Sequence, residues 1–487
     1  MIRLKTILLV ILLLSFAAGG LSAQVIDEAT AGTIAQSWIE TILDEKGAWG
    51  SSDSAAVGDV VELLRNGRLV GYYCGVKPSG HIVVSLVEGL APVKVYSETS
   101  TLDPLAEEGP TEMITCKMSS ILDALKEAAG PIVSLSASEI DAVLEHSYRG
   151  EWQQLKSGPL QPSSPDRKSG SRHDYEQGAI LLSSLWHQQY PYNDQCPPAP
   201  PEAGCNDPNC VVGCVATAGA QIMRYWNWPP GGRFWLGMPD EMDWEPTQVE
   251  IDAVAELCRS IGDAVGMTWC NENECRSTAE TSDMVGVFEG WYYDQQCMHT
   301  YRYDHTYSGW FDLIVGELNQ NRPIQYRIKR HSIVCDGWNL PGGIPTYHMN
   351  YGWKSTSWSA WYTVDALYQP DPYGSPDDEY MVLYIYPDCA MGSAIIGTIV
   401  ENPAFPHRYI AQDCAALSAR FEPGQYVHFH PRKALGCASG YLYIDGTPSK
   451  NTILYTGEYS RGIHIHNGRI AMYEGGAISF RLERPDN

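Results

Sequence analysis

A cysteine at the predicted start of a helix is the strongest chemical signal in this sequence. Cys214 follows a loop rich in Pro, Gly, Asn and Asp, and it precedes apolar residues at helical spacing, Val215, Ala218, Ile222 and Tyr225. The unpaired amides and the positive end of a helix dipole favour the thiolate, which is the nucleophilic form. The segment therefore indicates a nucleophile. On this segment alone, half of a disulfide is the more common role for such a cysteine.

Two histidines in predicted strands are the candidates for a partner base. His331 opens the run His-Ser-Ile-Val-Cys-Asp-Gly-Trp, and His348 opens the run His-Met-Asn-Tyr-Gly-Trp. Imidazole titrates near neutral pH and can accept a proton from a thiol. A histidine in a strand is more often a packed, hydrogen-bonded residue, so the pattern alone does not choose between these roles.

The cysteine content favours disulfides over metal binding. The chain has 14 cysteines, and an export signal beside so many cysteines makes disulfides the default interpretation. The alternative is zinc, because two groups have spacings that resemble ligand clusters: Cys205, Cys210 and Cys214, and Cys270 and Cys275. Neither group has the tight CxxC spacing of structural zinc sites, so zinc is the weaker hypothesis.

Length and charge limit the classes of partner. A chain of 487 residues with 44% hydrophobic residues predicts several domains with real cores. The formal net charge of −25 argues against nucleic acid and anionic membrane surfaces as partners.

The first 23 residues have the layout of a secretory signal peptide. Arg3 and Lys5 precede an apolar run from Ile7 to Phe16, and small residues follow up to Ala23. No later stretch is long and apolar enough to span a membrane. We therefore expect the mature protein to be secreted or extracellular, either free or associated with the cell surface.

Residues 24–155 are predicted to form a small α+β unit without a catalytic set. Thr30 to Asp44 has an amphipathic helical pattern, and Asn66-Gly67 between two apolar runs is a strong hairpin signal. Cys74 and Cys116 could pair within this unit. Residues 156–178 are rich in Ser, Pro and Gly with exposed basic residues, which indicates either a processing linker or an inert spacer.

The rest of the chain is predicted to form two further units. Residues 179–389 contain the Cys214 helix and then several strands, whereas 390–487 has short strands and Gly-rich turns typical of a small β sandwich or barrel. In this last unit, the pairs His428/His430 and His464/His466 each share a strand face. Such pairs could meet at a metal, but ordinary surface positions are the more common outcome.

Four separated stretches resemble motifs of the streptopain family of secreted papain-like cysteine peptidases. The match is longest around Gly-Cys-Val-Ala-Thr-Ala, and the order Cys, His, Asn along the chain is also that of papain-type enzymes. The matching stretches are 186–188 with 191–193, 213–218 with 220–223, 331–337 and 347–353.

The resemblance implies a role for each matched residue. Cys214 would be the nucleophile and His331 the general base and acid. Asn350 would accept a hydrogen bond from the second ring nitrogen and so orient the imidazole. The backbone N–H of Cys214 is a natural oxyanion donor, and Gln188 is a candidate for a second donor or for a cleft position.

Two departures from the family pattern concern the predicted cleft. Arg330 stands before the histidine where the family usually has Gly, which places a cation near the cleft and suggests a preference for acidic side chains. Tyr351 replaces the family's Trp, so the aromatic shield over the Asn–His hydrogen bond is expected to be smaller, and Trp353 is a further candidate cleft residue.

The resemblance implies an α+β fold and an exported zymogen. The expected order is signal peptide, inhibitory propeptide-like α+β domain, papain-like peptidase domain and small all-β C-terminal domain. Protein or peptide substrates and the chain's own propeptide are the implied partners, and no metal or organic cofactor is required. The alternatives are an amidase or acyltransferase with the same Cys-His-Asn set, and a disulfide-rich surface adhesin on an inactive peptidase fold.

Overall fold

The computed structural model describes residues 25–161, 175–226 and 238–386, apart from 243–244, 272–273, 292, 354–358, 366 and 369–377. From residue 399 onward it describes only the backbone of short strands. The predicted signal peptide, the linker residues Arg167, Lys168 and Arg172, and the side chains of His428, His430, His464 and His466 therefore lie outside the described residues. Among the described residues, no helix is long and apolar enough to cross a membrane.

Helices and strands occur in groups along the described chain: one helix and four strands come first, six helices follow, and most of the remaining strands come after them. The helices are α1 (Glu28–Lys46), α2 (Pro110–Ala129), α3 (Ala137–Asp141), α4 (Arg149–Leu155), α5 (Cys214–Trp226), α6 (Gln248–Ala264), α7 (Met284–Gly290) and α8 (Tyr307–Asn319). The strands are β1 (Ala56–Arg65), β2 (Arg68–Lys77), β3 (His81–Ser85), β4 (Val93–Ser97), β5 (Met298–Tyr301), β6 (Ile324–Ile328), β7 (His331–Asn339), β8 (Thr346–Asn350), β9 (Ala360–Thr363) and β10 (Tyr380–Leu383). The tail adds Ile399–Glu401, Tyr409–Ala411, Leu417–Phe421, Tyr426–Phe429, Ser439–Ile444, Gly457–Glu458, Gly468–Ala471 and Gly476–Glu483.

Local sequence signals explain the first helix and hairpin. The Asp27 side chain caps α1 by accepting from Thr30 N at 2.8 Å, and the apolar stripe of the helix is buried. Asn66 and Gly67 connect β1 to β2 with φ of 51° and 75°, which is the left-handed geometry that a two-residue hairpin requires. Both predictions from the sequence are confirmed here.

A single sheet runs through both halves of the described chain. Its ten strands have the order β1-β2-β3-β4-β9-β8-β7-β6-β10-β5. The junction is the antiparallel pairing of β4 with β9, where Val95 lies opposite Tyr362 and Tyr96 opposite Trp361. The N-terminal α+β region therefore extends the sheet that carries the predicted catalytic histidine.

Four of the cysteines that the structure describes form two disulfides. Cys205 pairs with Cys275 and Cys210 with Cys270, so these four cysteines form bridges rather than the alternative zinc cluster. Cys74 and Cys116 are both unpaired, which corrects the suggestion that they form a bridge. Cys196, Cys214, Cys297 and Cys335 are also free thiols among the described residues.

Buried charges reinforce the junction between β4 and β9. The Lys94 ammonium forms an ion pair with Asp365, and Lys117 lies 3.5 Å from Asp365 and 2.7 Å from Glu379. Burial raises the pKa of Asp365, but the charges of Lys94 and Lys117 outweigh it, so this pKa is lowered overall. The N-terminal region thus supplies both cations, and the region that follows supplies both carboxylates.

Replacement of Lys94 should destabilise the protein much more than replacement of an exposed lysine. Lys94→Met removes the closest cation from the nearly buried Asp365, and the expected loss is about 3 kcal/mol in the free energy of unfolding. The control is Lys46→Met, because the Lys46 side chain in its pair with Glu98 is 29% exposed. Its expected loss is under about 1 kcal/mol. Equal losses for the two variants in urea unfolding would contradict the structural role of the buried pair.

Candidate active site

The predicted nucleophile is the first residue of a buried helix. α5 begins at Cys214, and both the N–H and the hydroxyl of Thr217 donate to the Gly213 carbonyl, at 3.0 and 3.1 Å. Gly213 has a φ of 84°, a conformation that favours glycine. The helix-start prediction is therefore confirmed, and the half-buried thiol lies at the positive end of the helix dipole.

A tight hairpin brings His331 to this thiol. Strands β6 and β7 pair so that Ile328 lies opposite His331, with Lys329 and Arg330 in the turn. His331 is only 3% exposed. On the same sheet, Gln325 Nε2 donates to the Val215 carbonyl at 3.0 Å, which ties β6 to the first turn of α5. Strand and helix are therefore held together directly beside the cysteine.

The surroundings of Cys214 stabilise its thiolate. Burial raises the pKa of the thiol, but three opposing contributions outweigh it: the charge and hydrogen bond of His331, a hydrogen bond from the Ser332 backbone N–H, and the charge of Arg327. The pKa of Cys214 falls to about 7. By contrast, burial raises the pKa of the free thiol of Cys196 to about 12. A large fraction of Cys214 is therefore ionised at neutral pH.

A backbone carbonyl, rather than Asn350, holds the histidine ring. His331 Nε2 lies 2.9 Å from the Tyr351 carbonyl oxygen. Because a carbonyl can only accept, Nε2 carries a proton and Nδ1 is left to exchange a proton with the thiol. This contact corrects the expectation that the Asn350 side chain receives the ring hydrogen bond.

Asn350 instead fixes the backbone around that carbonyl. Its Oδ1 accepts from Gly352 N at 3.0 Å, and its Nδ2 donates to the Ser184 carbonyl at 2.9 Å and to Gln221 Oε1 at 3.2 Å. Gln221 lies on α5, two turns after the nucleophile. The Asn350 amide is therefore hydrogen-bonded to groups other than the imidazole. It acts on His331 only through the peptide group between Tyr351 and Gly352.

Two aromatic rings cover the histidine. Tyr351 stacks on His331 with ring centroids 5.7 Å apart, and Trp353 lies 4.7 Å away in a tilted arrangement. Tyr351 is buried, and Trp353 is half-buried. The replacement of the family's Trp by Tyr351 therefore leaves an aromatic ring in contact with the imidazole.

Arg327 also lowers the pKa of Cys214, and the sequence motifs did not single it out. Side chains alternate across a strand, so Arg327 faces the same side of β6 as Gln325, which contacts α5. Arg327 is 7% exposed and lies opposite Ser332 in the β6–β7 register. The positive charge of Arg327 lowers the pKa of the Cys214 thiol, because it favours the charged thiolate. The alternation of side chains along β6 could have placed Arg327 on the face towards α5 from the sequence alone.

The remaining candidate residues occupy different places. The Gln188 carbonyl accepts from Val212 N at 2.9 Å, so its backbone braces the loop before Cys214. The role of the half-buried Gln188 side chain as an oxyanion donor stays a prediction. Arg330 is exposed in the hairpin turn with a φ of 61°, which explains why glycine suits this position.

His348 belongs to a separate buried pair. Its Nδ1 lies 2.6 Å from Asp336 Oδ1, and its ring packs edge-on against Trp361 at 5.2 Å. Asp336 Oδ2 also accepts from Leu182 N at 3.4 Å. Of the two histidines, the structure places only His331 against the thiol.

Removal of the Arg327 charge should make Cys214 less acidic. For the wild type, the rate of Cys214 alkylation by iodoacetamide should rise with pH with a midpoint near 7. In Arg327→Gln, the midpoint should move to higher pH, because the thiolate loses a buried positive charge. Lys329→Gln is the matched control, since solvent screens this exposed cation, and Cys196 should stay unlabelled throughout. An unchanged midpoint in a folded Arg327→Gln variant would contradict this role.

Comparisons with known proteins agree with this geometry. Residues 186–234 and 231–362 match the Peptidase C10 family. The thiol protease/hemagglutinin PrtT of Porphyromonas gingivalis is 26% identical over 247 residues, which are 43% of this chain and 27% of that protein. Streptopain of Streptococcus pyogenes is 27% identical over 219 residues, which are 37% of this chain and 54% of that protein. The matches thus span well under two thirds of both relatives.

A solved structure shares the fold over a larger part of the chain. A fragment of prointerpain A from Prevotella intermedia superposes with a TM-score of 0.50 at 21% identity, covering 68% of this chain and 99% of that one. The mixed helix and sheet fold of this chain is therefore similar to that of the prointerpain A fragment. Over residues 186–362 the chain is therefore similar to the Peptidase C10 family and to streptopain-like cysteine peptidases.

Proposed function

We propose that this chain is an exported cysteine endopeptidase made as a zymogen. The observation that carries the proposal is the contact between the Cys214 thiol and His331, with the second ring nitrogen fixed on the Tyr351 carbonyl. The order of residues and the family match support the same chemistry. An inactive adhesin is disfavoured because the reacting groups are assembled.

Hydrolysis would proceed in two covalent stages. The Cys214 thiolate attacks the peptide carbonyl carbon, and the new oxyanion receives a hydrogen bond from the Cys214 backbone N–H, which has no acceptor within the first turn of α5. His331 then gives its Nδ1 proton to the leaving amine as the C–N bond breaks. Water, deprotonated by His331, attacks the thioester carbon and releases the carboxylic acid and the thiol.

The same groups would transfer the acyl unit to an amine if one replaced water at the second stage. Product analysis with an added amine separates this amidase or acyltransferase chemistry from hydrolysis. The exposed Arg330 beside His331 supports the further proposal that an acidic substrate side chain is preferred.

Substitutions of the two histidines should separate chemistry from packing. Cys214→Ala and His331→Ala should each lower kcat/KM for a short peptide by at least about 10⁴-fold with little change in melting temperature. His348→Ala is the control, because it leaves Asp336 buried without its partner and should chiefly lower the melting temperature. Full activity in Cys214→Ala, or equal activity losses at both histidines with unchanged melting, would refute the assignment.

The pro-region would keep the enzyme latent by blocking access to the cleft. His331 contacts Cys214 while the N-terminal region is docked through β4 and β9, which argues against latency by displacement of the histidine. The buried pair of Lys94 with Asp365 and the partly exposed pair of Lys117 with Glu379 support a stable docked state. Cleavage in the predicted linker, 156–178, would end the tethering that keeps the local concentration of the pro-region high.

Limited proteolysis of the purified precursor should test this form of latency. Peptide hydrolysis should rise by at least about 100-fold when a new N-terminus appears between residues 156 and 178. Alkylation of Cys214 by the much smaller iodoacetamide should change far less, because the Cys–His pair is already assembled. Equal rises in both rates would indicate displacement of His331, and a precursor as active as the cut form would rule out a zymogen.

A further inference from the structure

Two disulfides join the loop that precedes the nucleophile to a second loop. The nucleophile loop, residues 205–213, contains Cys205 and Cys210, and the partner loop, residues 267–271 and 274–278, contains Cys270 and Cys275. In the inner bridge, Cys210 and Cys270 are buried, with 1% and 6% exposure. In the outer bridge, Cys205 and Cys275 are half-buried. The inner bridge is therefore the one that lies within the packed structure and closer along the chain to Cys214.

The partner loop forms the support on which the nucleophile loop rests. Ser277 Oγ donates to the Val211 carbonyl at 2.6 Å. A Cβ placed on Gly213 would lie 3.0 Å from the Ser277 carbonyl oxygen and 2.8 Å from Met267 Cε. The backbone directly before Cys214 is thus in close contact with the partner loop, and a shift of that loop would change the position of the thiol.

The partner loop is itself anchored to the peptidase domain. Thr268 and Thr278 exchange backbone hydrogen bonds of 2.9 and 3.0 Å, which close its base. The Trp269 ring lies against Gly262 of α6, and the Arg259 guanidinium lies 5.3 Å from its centroid. The inner bridge therefore connects the nucleophile loop to the partner loop, which packs against helix α6.

We propose that the inner bridge, Cys210–Cys270, is a positioning element for the nucleophile, whereas the outer bridge, Cys205–Cys275, only closes the outer end of the two loops. The inference rests on the proposed peptidase function. Catalysis requires the thiol and the backbone N–H of Cys214 to hold their places relative to His331 and the substrate carbonyl. A displacement of about 1 Å at a reacting group can cost about 100-fold in rate.

The test compares two double variants, each lacking one bridge. Both partners are replaced together, because Cys205 Sγ lies 3.9 Å from Cys270 Sγ and a single substitution would allow the remaining cysteines to re-pair. Cys210→Ala with Cys270→Ala should lower kcat by about 10- to 100-fold and slow the alkylation of Cys214 at pH 7. The variant Cys205→Ala with Cys275→Ala should keep kcat within about twofold of the wild type. This should hold even if its melting temperature falls as much as that of the inner-bridge variant.

Several outcomes would overturn the proposal. A folded inner-bridge variant with unchanged kcat and unchanged alkylation of Cys214 would show that the bridge only stabilises the protein. Four free thiols at these positions in mass spectrometry of the non-reduced wild type would remove its basis. If the inner-bridge variant does not fold, Ser277→Ala removes the Val211 hydrogen bond without touching a cysteine and should lower kcat in the same direction; an unchanged kcat there would also count against the proposal.

The alkylation measurement separates failure of this inference from failure of the proposed function. Iodoacetamide reports the reactivity of Cys214 without any peptide substrate. A wild type that is alkylated near neutral pH but hydrolyses no peptide would reject the endopeptidase function, while the comparison of the two bridge variants would still decide the positioning role.

Discussion

The contact between Cys214 and His331 is the interaction on which the active-site architecture depends. Burial disfavours a charged thiolate, so the ionised pair persists only if hydrogen bonds and opposite charges replace the lost water. The structure provides these through the start of α5, the Ser332 N–H and the Arg327 charge. The first comes from a helix and the other two from the paired strands β6 and β7, which explains why helix and hairpin must meet at one point.

The imidazole needs a fixed orientation as well as a nearby thiol. The Tyr351 carbonyl provides it, and Asn350 holds the adjacent peptide through Gly352 N. Asn350 and Gln221 also exchange hydrogen bonds of 3.2 and 3.4 Å, which connect the end of β8 to α5. The same amide network therefore fixes both the ring acceptor and the helix that carries the nucleophile.

The sequence predicted the elements that have a local signature. The α5 helix start, the Asn66-Gly67 hairpin and the strand carrying His331 all follow from periodicity and turn residues, and the structure has each of them. The acceptor for the His331 ring could not be predicted, because any residue can present a backbone carbonyl. The pairing of Cys205 with Cys275 likewise depends on contacts between loops that are distant in sequence. The alternation of side chains along β6 would have indicated that Arg327 lies on the strand face that contacts α5.

The junction of β4 and β9 attaches the N-terminal region through strand pairing, a ring stack and ion pairs. Only two residue pairs join the strands, yet Tyr96 stacks on Trp361 at 6.3 Å, and the Lys94 and Lys117 ammonium groups face Asp365 and Glu379. If the linker is cut and the N-terminal region departs, both carboxylates lose these cations but gain water, which offsets much of the lost attraction. If the chain is a zymogen as proposed, the tether would favour the docked state by keeping the local concentration of the N-terminal region high, and cleavage would weaken that state.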